Sequence, residues 1–133
     1  MHARIFVAAL ALLAAGCNGG FIFISSTMPA TFTMKPAQTA TVQGVAVTFQ
    51  QVVSDSRCPI NAVCVWAGEA TIEVTVRGRG PEARYQLQLS PLDPARRTVT
   101  HRDIVLEFQA LQPLPIAGQP TDRNSYRATI EIR

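Results

Sequence analysis

Residues 69–77 read EATIEVTVR, with Ala70, Ile72, Val74 and Val76 on one side of an extended chain. Glu69, Thr71, Glu73, Thr75 and Arg77 take the other side. Side chains of a strand alternate between two faces, so this pattern predicts a half-buried antiparallel strand. The period of two recurs along the chain. In 83–89, Tyr85, Leu87 and Leu89 oppose Arg84, Gln86 and Gln88. In 103–110, Ile104, Leu106, Phe108 and Ala110 line up, and in 125–133 so do Tyr126, Ala128, Ile130 and Ile132. The run GVAVTFQQVV places Val45, Val47, Phe49 and Val53 together.

Turn chemistry separates these runs. Gly78-Arg79-Gly80-Pro81 reads as a hairpin turn. Ser90-Pro91-Leu92-Asp93-Pro94 is a loop, because neither proline can donate to a ladder. Gln112-Pro113-Leu114-Pro115 ends the next strand for the same reason, and 113–124 forms a long connection. No segment carries a helical period. The expected fold is all-β: a small antiparallel β-sandwich, immunoglobulin-like in the broad sense, with about seven to nine short strands. A small closed barrel is the alternative.

Composition agrees. Hydrophobic residues make up 47% of the 133 and charged residues only 16%, which excludes a disordered chain and bounds it to one domain. The net charge of +3 comes from scattered cations, with Arg96-Arg97 the only adjacent pair. No basic stripe or stacking platform for nucleic acid is present in that pattern.

The N-terminus sets the expected compartment. In MHARIFVAALALLAAGC, Arg4 precedes an apolar run from Ile5 to Ala15 and then small residues, the plan of a secretory signal. The run has eleven residues, short of the roughly 20 that cross a bilayer. Leu13-Ala14-Ala15-Gly16-Cys17 resembles the lipobox of bacterial lipoproteins. The resemblance implies cleavage before Cys17, a diacylglyceryl group on its sulfur and usually an acyl chain on its amine. Several chains hold a protein to a membrane stably where one does not. If instead the protein is secreted in the ordinary way, Cys17 ends the discarded signal. Asn18 is not the Asp associated with inner-membrane retention, which favours the outer membrane, on its periplasmic or surface side, within the cell envelope.

The expected organisation is a signal over 1–16, a lipidated Cys17 with a tether to 30, and the β-domain over 31–133. A flexible tether of that length reaches roughly 20 Å. Within it, Phe21 to Ile24 read as a first strand, with a dip into the lipid interface as the other option.

The densest stretch is 55–69, DSRCPINAVCVWAGE. If Cys17 carries lipid, Cys58 and Cys64 remain as an even pair in an oxidising compartment, and a disulfide between them is expected. Structural zinc needs four ligands, and the mature chain offers two thiols and His101. The spacing is not C-x-x-C. Trp66, in extended chain on the same side as Cys64, reads as packed beside the disulfide at one end of the core, or else as an exposed anchor for a partner. Asp55 and Ser56 suit an Asx turn, Gly68 a positive φ, and Arg57 an ion pair with Glu69. Asp55 and Glu69 are too few for a cation site. Asp55, Arg57, Trp66 and Glu69 are the candidate interaction residues.

The motif on Asp55, Ser56, Arg57, Cys58, Pro59 and then, after four positions, Cys64, Val65, Trp66, Ala67 and Gly68 resembles one in small uncharacterised secreted proteins and lipoproteins of bacteria. It implies an all-β envelope domain and carries no activity with it.

No catalytic constellation stands out. His101-Arg102-Asp103 is similar to a fragment of a kinase catalytic loop, but the chain lacks the glycine-rich loop and strand lysine. A triad on His101 and Asp103 has no nucleophile elbow, and Glu69 and Glu73 alternate with threonines as on a solvated sheet face. The expectation is a non-catalytic binding or structural domain, without cofactor or metal, held to the membrane by lipid and facing an envelope or extracellular protein or glycan. Its alternative is an inhibitor of a protease or lysozyme that presents the CPINAVC loop.

Overall fold

A computed structural model describes residues 22–25 and 27–133. The signal over 1–16, Cys17 and residues 18–21 lie outside the described residues. Among the described residues nine strands run in order: β1 Ile22–Ser25, β2 Ala30–Met34, β3 Thr39–Val42, β4 Val45–Asp55, β5 Ala70–Arg77, β6 Ala83–Leu89, β7 Thr98–His101, β8 Ile104–Gln112 and β9 Arg127–Ile132. Among the described residues the only helical pieces are 3-10 turns at Pro94–Arg97 and Arg123–Ser125.

The strands form two sheets, ordered β1-β3-β4-β5-β6 and β2-β9-β8-β7. They pack face to face as a β-sandwich and do not close into a barrel. All neighbours are antiparallel except β1, which runs parallel to β3 with Ile22 opposite Thr39. The first sheet therefore begins at Ile22, inside the segment read as tether, because β3 offers β1 a free edge.

The core follows the alternation. Ala70, Ile72, Val74 and Val76 of β5 are buried, facing Leu106 and Phe108 of β8 and Ala128, Ile130 and Ile132 of β9 within one apolar cluster. Phe49, Phe108 and Met34 are its largest fully buried side chains. β5 and β6 form the expected hairpin, turning through Gly78 and Gly80, both at positive φ.

Two strands depart from strict alternation. β4 shifts register between Phe49 and Gln51 and again between Val52 and Ser54. Each bulge inserts a residue and moves the phase by one. Val53, expected on the core side with Val45, Val47 and Phe49, is exposed, and Val52 packs against the core instead. In β8 a bulge between Phe108 and Ala110 has the same effect, so Leu111 rather than Ala110 completes the buried face.

The bulges generate a discriminating prediction. Leu111→Ala empties a fully buried site and is expected to cost about 2–5 kcal/mol. Val53→Ala is expected to stay within about 0.5 kcal/mol. Urea midpoints of the two variants measure both, and equal costs would contradict the bulged registers.

Candidate functional site

The end of β4, the start of β5, the end of β8 and the start of β9 meet at one end of the sandwich, where 55–69 and 113–125 connect them. The link is ionic. Arg57 Nε donates to Asp55 Oδ1 at 2.8 Å and its Nη2 to Asp55 Oδ2 at 2.7 Å, a two-pronged pair. The remaining prongs cross to the other sheet: Nη1 donates to the Leu111 carbonyl at 2.6 Å and Nη2 to that of Pro113 at 2.8 Å. Tyr126, at the head of β9, donates its hydroxyl to Asp55 Oδ2 at 3.1 Å. The two charged side chains are only 7% and 11% exposed, Asp55 and Arg57 respectively, so a half-buried charge pair with its hydrogen bonds satisfied joins the sheets.

The backbone makes that pair possible. Arg57 N–H donates to Asp55 Oδ1 at 3.3 Å, the expected Asx turn, which turns the arginine back on its own carboxylate. The expected Arg57–Glu69 pair does not form, because Asp55 and the two carbonyls take the guanidinium fork. Glu69 is held through its backbone instead: Ser56 N–H donates to its carbonyl at 2.8 Å, and Glu69 N–H donates to Ser56 Oγ at 3.1 Å. Gly68 lies against this crossing at φ +64, and a Cβ there would stand 2.3 Å from the Ser56 carbonyl oxygen. Only glycine fits both the angle and the contact.

The Cys58 and Cys64 sulfurs are bonded, closing the seven-residue ring with Cα atoms 5.9 Å apart. The ring leans on the facing connection: Ile60 N–H donates to the Pro115 carbonyl at 3.0 Å, and Ala117 N–H to Asn61 Oδ1 at 2.8 Å. Trp66 is not packed into the end of the core. It is 59% exposed, and its indole N–H is satisfied by the Ser56 carbonyl at 3.3 Å. Val63 and Val65, flanking Cys64, are wholly exposed. A shallow cavity of about 200 Å³ opens within the facing 113–125 connection, lined by residues such as Leu114, Ile116 and Asp122.

The candidate catalytic residues lie elsewhere. His101 is buried at the opposite end, where Tyr85 Oη sits 2.9 Å from Nδ1 and the Gly78 carbonyl oxygen 3.2 Å from Nε2. Asp103 is paired with Arg79. Glu73 faces Arg84 at 3.7 Å on the outer face of the sheet. A second cleft, about 360 Å³, lies between β6 and the 96–99 segment and is lined by Thr71, Gln86, Gln88, Arg96, Thr98 and Val99. Among the described residues, no three His, Cys, Asp or Glu side chains stand together as a metal site needs.

Sequence reasoning brought Asp55, Arg57, Trp66 and Glu69 into one loop, and the structure keeps them there in altered roles. It missed Tyr126, read only as a core residue, although a phenol at a strand end needs a partner for its hydroxyl. It also missed Leu114 and Ile116, which local sequence marks only as members of a proline-rich connection. Compared with protein-family models, with curated proteins and with solved structures, the chain matches none. What fold and site define is a small, disulfide-stapled β-sandwich with one apolar, rigidly presented end.

Two predictions follow the geometry. Burial works to raise the Asp55 pKa, but the hydrogen bonds and charge of Arg57, with the Tyr126 hydroxyl, outweigh it and hold the carboxyl below its usual range. A lowered folded pKa means this stabilisation is whole above the unfolded value near 3.9 and is lost as pH falls through the lower folded value. Asp55→Asn is expected to lose about 1.5–3 kcal/mol at pH 7 and to show a shallower decline in stability below about pH 4 than the parent, read by denaturant titrations across pH. Replacing Cys58 and Cys64 by Ala is expected to cost about 2–2.5 kcal/mol, the loop entropy of so small a ring. A calorimetric scan of the double variant checks this, and an unchanged transition would remove the staple from the stability of the domain.

Proposed function

We propose that this chain is a lipid-anchored protein of the bacterial cell envelope, with the outer membrane favoured, whose sandwich is a non-catalytic binding domain acting through its stapled end. One observation carries the reading. Ile60, Val63, Val65 and Trp66 are exposed on a loop fixed by a disulfide, a half-buried ion pair and hydrogen bonds to the facing connection. Exposed apolar side chains gathered on a rigid mount are costly in water unless something else meets them. Rigid presentation lowers the entropy lost on binding. The lipobox-like Leu13–Cys17 supports the anchor, and the oxidised pair Cys58–Cys64 suits an extracytoplasmic compartment.

A narrower second reading is favoured by the wholly exposed Val63 inside the disulfide ring, which suits a loop offered to the cleft of a protease or lysozyme. Loss of that enzyme's activity on titration with the domain, relieved by Val63→Asp, is the result that would establish it.

Intact mass of the protein purified from its native membrane tests the main reading. The expected result is a chain beginning at Cys17 and carrying diacylglycerol, with two thiols released only by reduction. An unmodified chain with free thiols at 58 and 64 would overturn it.

A further inference from the structure

We propose that the stapled end docks into the interface of the bilayer that holds the anchor, so that lipid is what meets its apolar side chains. The proposal rests on the lipid-anchor reading above and adds the partner of the exposed surface. Its first support is a strong asymmetry. Eight large apolar residues are exposed among the described residues: Val53, Ile60, Val63, Val65, Trp66, Leu92, Leu114 and Ile116. All lie at the end where β4, β6 and β8 finish. The two segments that supply most of them, 58–68 and 111–121, contain no charged residue over eleven positions each. The opposite end carries Arg77, Arg79, Glu82, Asp103 and Arg133 in ion pairs at or near its turns, whereas beyond the Asp55–Arg57 pair the stapled end has, among the described residues, one exposed ion pair, Asp93–Arg96, at its rim beside Leu92. A surface for bulk water at one end and for the acyl–headgroup boundary at the other is what interfacial binding requires.

Trp66 adds the second support. Its indole N–H is already bonded to the Ser56 carbonyl while most of the ring is exposed, so the ring can leave water without stranding a donor. Tryptophan with its amphipathic ring is the side chain enriched at membrane interfaces.

The third support is the direction of the chain. Ile22 pairs with Thr39, and Thr39 with Thr48, so β1 starts level with Thr48 of β4. β1 runs away from the stapled end, so Ile22 is the end of β1 nearer to it. From Cys17 to Ile22 the backbone spans at most about 17 Å, whereas Asp55 lies about 23 Å beyond Thr48 along β4. A lipid on Cys17 is therefore held at least about 6 Å behind the level of Asp55. The loop tips stand ahead of the anchor, the order that lets them enter an interface whose depth is roughly 5–10 Å. A protein partner would have to share this space with the bilayer surface.

Trp66 is the only tryptophan, so its fluorescence reads this loop directly. The full lipidated chain is reconstituted into vesicles of phosphatidylethanolamine and phosphatidylglycerol with brominated acyl chains. The expected result is a blue-shifted Trp66 emission quenched by the bromines. A Val63→Asp/Val65→Asp variant, shown by mass to carry the lipid and by circular dichroism to be folded, should lose the quenching. The mature chain with Cys17→Ser should bind the same vesicles more weakly, and the two Asp substitutions should reduce that binding about tenfold further. Water-like emission without quenching in a chain proven to be lipidated would overturn the docking, give the surface to a protein partner and leave the anchor standing. If mass shows no lipid on Cys17, the anchor reading fails on its own. The response of Trp66 in the Cys17→Ser chain then decides docking alone, a shift supporting it and no shift overturning it.

Discussion

The guanidinium of Arg57 spans the gap between the two sheets, and much of this end of the molecule is arranged to satisfy it. A buried arginine whose fork is left unpaired is strongly destabilising, so the groups around it are constrained together. Asp55 supplies two oxygens, and the carbonyls of Leu111 and Pro113 supply the cross-sheet acceptors. Tyr126 completes the carboxylate. The Asx turn at 55–57 folds the chain over tightly enough that Gly68, coming back into β5, passes against the Ser56 carbonyl. The 55–69 loop thus leaves the sandwich in one direction, and the disulfide then limits how far its tip can spread. A lesser polar clasp closes the other end, where His101 lies between Tyr85 of one sheet and the Gly78 carbonyl of the hairpin turn. Both ring nitrogens of this buried histidine thus have partners within the fold.

With both ends tied, the sandwich presents different surfaces. Exposed ion pairs surround the hairpin of β5 and β6, while the stapled end projects valine, isoleucine, leucine and tryptophan into the medium beside the Asp55–Arg57 and Asp93–Arg96 pairs. The ring does not shelter those side chains. It orients them, because Ile60 and Asn61 are bonded to the 115–117 backbone and the facing connection cannot drift away. Two loops far apart in sequence become one surface. Under the proposed docking, a lipid anchor preceding β1 and this surface would act as parts of a single attachment device.

Much of the architecture was legible because strand alternation is a local signal. EATIEVTVR and RYQLQL each name their buried face, and Gly78 to Gly80 names the turn between them. The failures are local too. Nothing in VTFQQVVSD announces two bulges, since an inserted residue leaves composition unchanged and shifts only which valine meets the core. The candidate site was half legible. Asp55, Arg57, the two cysteines and Trp66 stand within a dozen positions, but Arg57's partner was misread because Glu69 and Asp55 are equally acidic on paper. The choice fell to Asp55 through a two-residue turn and a pair of carbonyls that belong to the other sheet.

Sequence alone determined the all-β class, the strand periods and the punctuating turns, because each depends on neighbours a few residues apart; the pairing of Cys58 with Cys64 was expected only if Cys17 carries lipid, and the structure shows it. Tertiary structure decided which sheet each strand joins, where the bulges re-aim the side chains, and that Trp66 faces outward while Tyr126 faces the ion pair. Those outcomes depend on how two sheets meet, and the contacts that settle them join residues as far apart as Asp55 and Tyr126. A local pattern cannot encode a partner that only packing brings within reach.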